Sequence, residues 1–121
     1  MILLDSNIII YLSKKLISID DVFFDEKKTY AISIITYMEI LGYSFKSKEE
    51  ENTIKKILDY LKILYINKDI ADKVIELKKE NHIKLPDAII CSTAILNHAI
   101  LVTNDIRLKN IPKIQLKTID I

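Results

Sequence analysis

Glycine is almost missing from this chain of 121 residues: there is one, Gly42. A Walker-type phosphate loop needs two glycines and a dinucleotide fingerprint needs three, so both devices are excluded. A single cysteine, Cys91, excludes an internal disulfide and any cysteine-based zinc cluster. The two histidines, His82 and His98, are too far apart for an HExxH pair. Tryptophan is absent, and Arg107 is the lone arginine. No apolar run approaches the roughly 18–20 residues that span a bilayer. Met-Ile-Leu-Leu-Asp, at the start, has no basic flank and is interrupted by Asp5, so no signal peptide is predicted and a reduced, cytoplasmic setting is expected. Chemistry in such a chain has to come from carboxylates, hydroxyls, amides and lysines.

What is present suits one folded unit. Hydrophobic residues make up 50%, enough for a core without staples, and 29% are charged with a formal net charge of +1. This is neither a disordered acidic chain nor a strongly basic nucleic-acid coat. No repeat, low-complexity stretch or Pro/Gly/Ser-rich linker interrupts it, so residues 1–121 are expected to form a single domain.

The hydrophobic pattern predicts short buried strands alternating with helices. Ile2-Leu3-Leu4 reads as a strand ending at Asp5, with Ser6 capping a helix over 7–12. A short helix over 19–24, a strand over 30–33 and an apolar helix over 34–43 follow. Residues 49–64 carry Ile54, Ile57, Leu58, Leu61 and Leu64 at helical spacing, and 64–66 reads as a third strand. Helices are predicted over 69–82 and, started by Pro86, over 87–98. Strands over 100–103 and 114–119 complete an α/β pattern with a parallel sheet. In such sheets the functional crevice lies beyond the carboxyl ends of the strands.

That rule selects particular acids. Asp5 ends the first strand, Asp105 follows the fourth, and Asp87 opens the helix before it. Glu39 sits among Tyr37, Met38, Ile40 and Leu41 with little other charge nearby. Singly, each has an ordinary role: Asp5 as a turn or cap, Asp87 as a helix starter, Asp105 as a cap, Glu39 on a solvated stripe. Gathered around one crevice, they would repel; a pair about 5 Å apart at an effective dielectric of about 20 costs roughly 3 kcal/mol. A compensating cation is then required, and oxygen-only ligands select a hard ion, Mg²⁺ or Mn²⁺. Such an ion activates water against a phosphodiester, while lysines can hold a nucleic-acid backbone.

Four segments carry a family resemblance: Leu4-Asp5-Ser6-Asn7-Ile8, Thr36-Tyr37-Met38-Glu39-Ile40-Leu41-Gly42, Leu85-Pro86-Asp87-Ala88-Ile89-Ile90, and Leu101-Val102-Thr103-Asn104-Asp105. In order and spacing they resemble the PIN-domain ribonucleases, most closely the VapC-type toxins of toxin–antitoxin pairs. The resemblance implies a PIN-like domain with sheet order 3-2-1-4-5 and Mg²⁺- or Mn²⁺-dependent endoribonuclease activity. It implies Asp5, Glu39, Asp87 and Asp105 as the catalytic acids, with Asp5 and Asp87 foremost, and Asp105 beside them, as metal ligands. Thr103 and Asn7 would orient ligands or water, and Lys84 and Arg107 would hold RNA. A homodimer and a cognate antitoxin covering the site are also implied. Many relatives carry an aromatic residue after the last acid and a Gly before the final strand; Leu108 and Pro112-Lys113 stand there in this chain.

Competing readings differ in the chemistry they need. A PIN-domain nuclease for RNA processing would act without an antitoxin. A phosphoacceptor receiver domain wants paired acids after its first strand, whereas Asp20-Asp21 is not at a strand end. An inert binding module has no support from a chain that keeps all four acids. Outside the acidic set, His82 and His98 read as solvated helix ends, and Cys91 as a packing residue. Tyr11, Tyr37 and Tyr43 read as core, rim or a partner-facing patch.

Overall fold

The structure, a computed structural model, describes residues 1–121. Its elements in chain order are β1 (Ile2–Leu4), α1 (Ser6–Ser13), α2 (Ile19–Val22), β2 (Tyr30–Ser33), α3 (Ile34–Leu41), α4 (Lys48–Asp59), β3 (Lys62–Leu64), α5 (Lys68–Glu80), α6 (Leu85–Leu96), β4 (Ile100–Val102), a 3₁₀ turn (Ile106–Asn110) and β5 (Gln115–Lys117). The five strands form one parallel sheet in the order β3-β2-β1-β4-β5, as the family resemblance implied.

Strand alternation divides the core into two layers. Ile2 and Leu4 of β1 point with Ile32 and Val102 into the layer closed by α1 and α4, through Ile8, Ile9, Leu12, Ile54 and Leu58. Leu3 points the other way, with Ala31 and Leu101, against Leu77 of α5 and Ile90, Cys91 and Ala94 of α6. Because both faces of β1 are covered, its three residues are fully buried, and the sequence shows an unbroken apolar run there.

Several boundaries differ from the predicted ones. Helix α4 stops at Asp59, and β3 comprises Lys62–Leu64 instead of residues 64–66. The chain turns at Tyr60, Leu61 drops into the core, and the backbone of Lys62–Leu64 is the part that reaches Ala31–Ser33. Tyr65 and Ile66, apolar as they are, face solvent. The cap of α1 is Asp5, not Ser6: an Asp5 carboxylate oxygen accepts from the Ser6 N–H at 2.8 Å. Helix α6 begins one residue before Pro86, with Lys84 at its N-cap position. Strand β5 is three residues long because its partner β4 offers only three.

The scarcity of glycine leaves a trace in the backbone. Three residues with side chains, Lys15, His98 and Lys113, hold positive φ values of 58°, 51° and 68°. Lys113 occupies the turn before the last strand in a left-handed backbone that glycine adopts without steric cost. The single glycine serves close approach instead: at Gly42 an added Cβ would lie 2.7 Å from the Met38 carbonyl oxygen.

Candidate active site

The chain runs outward from β1 to β3, then returns to the other side of β1 for β4. This reversal opens a crevice at the carboxyl ends of β1 and β4. Asp5 leaves β1 into that crevice and Thr103 leaves β4 beside it; the Asp5 N–H donates to the Val102 carbonyl at 3.0 Å. Both side chains are buried, Asp5 at 8% exposure and Thr103 at 1%. The Thr103 hydroxyl donates to Asp5 Oδ2 at 2.6 Å and accepts from the Asp105 N–H at 3.1 Å. Thus one hydroxyl links two acids that are 100 positions apart in sequence, and each oxygen of the buried Asp5 carboxylate has a donor.

The remaining acids arrive on helices. Asp87 is half-buried in the first turn of α6. Its carboxyl is pushed above the ordinary range by burial first, then by the charges of Asp105 and Asp5; Arg107 and Lys84 pull in the opposite direction. Glu39 lies near the C-terminal end of α3, and although its side chain reaches solvent, its carboxyl is also raised: partial burial leads, followed by Asp5 and Asp87. Beneath the acids, burial and the charges of Asp87, Asp5 and Asp105 push the Cys91 thiol up to about 12, so it is a protonated packing group. Asp5 and Asp87 thus lie within electrostatic reach of Glu39 on one side and of Asp105 on the other.

Asp105 behaves differently from the others. The Arg107 guanidinium grips it, Nε to Oδ1 at 2.8 Å and Nη2 to Oδ2 at 2.7 Å, and the Arg107 N–H adds a bond to Oδ1 at 3.2 Å. This pairing holds the Asp105 carboxyl below the usual range. Sequence reasoning treated Arg107 only as a contact for RNA and missed the pair. The available signal was their spacing of two residues in a tight turn straight after a strand, where Asp105 caps the turn. Lys84 is exposed at the start of α6, close enough to act on Asp87 electrostatically. Asn7 is exposed in the first turn of α1, and no side-chain hydrogen bond ties it to the acids. His82 and His98 are exposed. Tyr11 and Tyr37 pack against the core, while Tyr43 is exposed and meets Phe45 edge-on at 6.1 Å.

The donor set fits a hard divalent cation in kind: carboxylate oxygens only, gathered at the cost of mutual repulsion. As the side chains stand, no three acids, histidines or cysteines form a closed ligand cage.

The model of the PIN domain family matches residues 2–114. This chain belongs to the PIN-domain family. Solved structures agree with that assignment over nearly the full length. A chain of VapBC2 from Rickettsia felis, crystallised with a promoter DNA fragment, is 29% identical with a TM-score of 0.84; the match covers 99% of this chain and 100% of that one. A toxin–antitoxin complex from Klebsiella pneumoniae contributes a chain 31% identical, with a TM-score of 0.75 and coverage of 99% and 97%. VapBC-1 from nontypeable Haemophilus influenzae has a chain 29% identical, with a TM-score of 0.77 and coverage of 98% on each side. These likenesses bear out the VapC-type resemblance read from the motifs. Among curated proteins, none matches.

Proposed function

We propose that this PIN domain is a metal-dependent endoribonuclease, the toxin of a toxin–antitoxin pair, hydrolysing RNA phosphodiester bonds. The observation that supports the reading is the link of Asp5 and Asp105 through the Thr103 hydroxyl at the ends of β1 and β4, with Asp87 and Glu39, whose carboxyls are raised by burial first and by neighbouring acids second, close enough to feel Asp5. In this reading Asp5, Asp87 and Asp105 would hold Mg²⁺ or Mn²⁺, which when bound would supply an activated water and positive charge at the phosphoryl centre. Thr103 fixes the rotamer of Asp5 through the 2.6 Å hydrogen bond. Glu39, whose carboxyl is raised by burial first and then by Asp5 and Asp87, would accept a proton from the attacking water. Lys84 and Arg107, both exposed, offer cations to RNA phosphates, and Asn7 meets water or RNA from the exposed start of α1.

The toxin role rests on likeness to chains from VapBC and toxin–antitoxin complexes. The proposed partner is a cognate antitoxin that covers the site, and the proposed assembly is a homodimer in the cytoplasm. No helix is long and apolar enough to cross a membrane.

The test is cleavage of end-labelled RNA by the purified chain. Wild-type protein should cut in millimolar Mg²⁺ or Mn²⁺ and stop cutting in excess EDTA. Asp5→Asn should abolish cleavage with an unchanged circular dichroism spectrum. Full cleavage by that variant, or undiminished cleavage in EDTA, would falsify the reading.

A further inference from the structure

The pairing of Arg107 with Asp105 is a competition as well as a contact. A carboxylate has two oxygens, and here both are taken by one planar guanidinium in a side-on fork, with the backbone N–H adding a third bond. A divalent ion wants those same oxygens and repels the guanidinium charge. The two side chains are unequal in cover: Arg107 is 77% exposed and Asp105 only 23%. The arginine is therefore the mobile member, free to swing into solvent, whereas the acid is fixed by its place at the tip of β4 and by the bond from its N–H to Thr103. None of the other four ion pairs in the molecule involves one of the crevice acids. Arg107 is the one cation in hydrogen-bonded contact with the acidic set.

We propose that Arg107 is an internal counter-ion that latches Asp105 in the metal-free protein and must release it before Asp105 can join a divalent cation. The inference rests on the functional reading above, in which Asp105 is a metal ligand. It assigns Arg107 a regulatory task on the protein's own acid: the latch weakens metal binding, and its release frees the guanidinium for a phosphate.

The experiment measures Mn²⁺ binding directly, by electron paramagnetic resonance of free Mn²⁺ and by calorimetry, without RNA. It compares wild type, Asp5→Asn, Arg107→Gln, Asp105→Asn and the double variant Asp105→Asn/Arg107→Gln. Arg107→Gln should bind Mn²⁺ more tightly than wild type, by about three- to tenfold at low salt, with less gain at high salt. A role in folding alone would loosen binding, so the sign is diagnostic. In the Asp105→Asn background, Arg107→Gln should have little effect, because the latch has nothing left to hold. Unchanged or weaker Mn²⁺ binding by Arg107→Gln overturns the latch. So does an equal gain in the Asp105→Asn background, which would make Arg107 only a distant charge. If wild type binds no Mn²⁺ at all, or Asp5→Asn binds it undiminished, the metal-site reading itself fails, and that result is distinct from the other two.

Discussion

Glu39→Gln should make the metal-free protein more stable while removing its proposed activity. Glu39 has an unfavourable charge from three directions. Its carboxyl is partly desolvated, it faces Asp5 and Asp87, and it forms no ion pair with Lys14 or Lys46, which line the same pocket. It also lies near the C-terminal end of α3, where the helix dipole disfavours an anion. Two like charges about 7 Å apart at an effective dielectric of about 40 repel by about 1 kcal/mol. Two such neighbours, discounted by about half for the solvent-exposed side chain and for salt, leave a penalty of about 1 kcal/mol. For a chain of this size that is about 3–5 °C in melting temperature. The sign with pH follows from linkage. An acid whose folded-state pKa lies above its unfolded value destabilises the fold at pH above the folded pKa. The penalty fades as pH falls through that value toward the unfolded one. Thermal melts in chelator and low salt should therefore show Glu39→Gln above wild type at pH 7.5, with the gap closing as the pH falls toward the ordinary carboxylate range. Millimolar Mg²⁺ should also narrow the gap by neutralising Asp5 and Asp87. A variant that melts at or below wild type in chelator at pH 7.5 would refute the claim that these carboxyls repel one another.

Two further substitutions probe the frame around the acids. Thr103→Val removes the donor to the buried Asp5 oxygen and the acceptor for the Asp105 N–H, and should cost about 2–3 kcal/mol in denaturant unfolding. Thr103→Ser keeps the hydroxyl and should recover most of that loss; equal midpoints for Thr103→Val and wild type would contradict the linking role. Lys113→Gly relieves a left-handed backbone at the turn before β5, and should stabilise by up to about 1 kcal/mol after the entropy that glycine adds to the unfolded chain. Calorimetry showing a lower melting temperature for Lys113→Gly would mean that the lysine side chain contributes more than its backbone costs.

The alternating elements were legible because buried parallel strands are short apolar runs and the helices between them carry a helical period. Ile2-Leu3-Leu4 and the spacing in α4 and α5 needed no tertiary information. The positions of the candidate acids were legible too, since a polar residue that ends a buried strand or opens a helix marks the rim of the sheet. Asp5, Asp87 and Asp105 all obey that rule, and Glu39 stood out against its apolar neighbours. The sheet order came from the resemblance of four motifs to a known family, not from the strand pattern, which is compatible with several orders.

The tertiary structure decided what local pattern cannot encode. Strand β3 begins at Lys62 because pairing follows backbone position after the α4 exit, and Tyr65 and Ile66, the more apolar choice, are left outside the sheet. Thr103 meets Asp5 only because the return of the chain sets β4 against β1. Arg107 is turned onto Asp105 by a tight turn, so the residue expected to face RNA is occupied within the molecule. Local sequence determined which side chains stand at the ends of strands and helices, because burial and capping act over a few residues. Which of them meet, and which is held by its own cation, was settled by topology, because electrostatics acts through distances that only the folded chain sets.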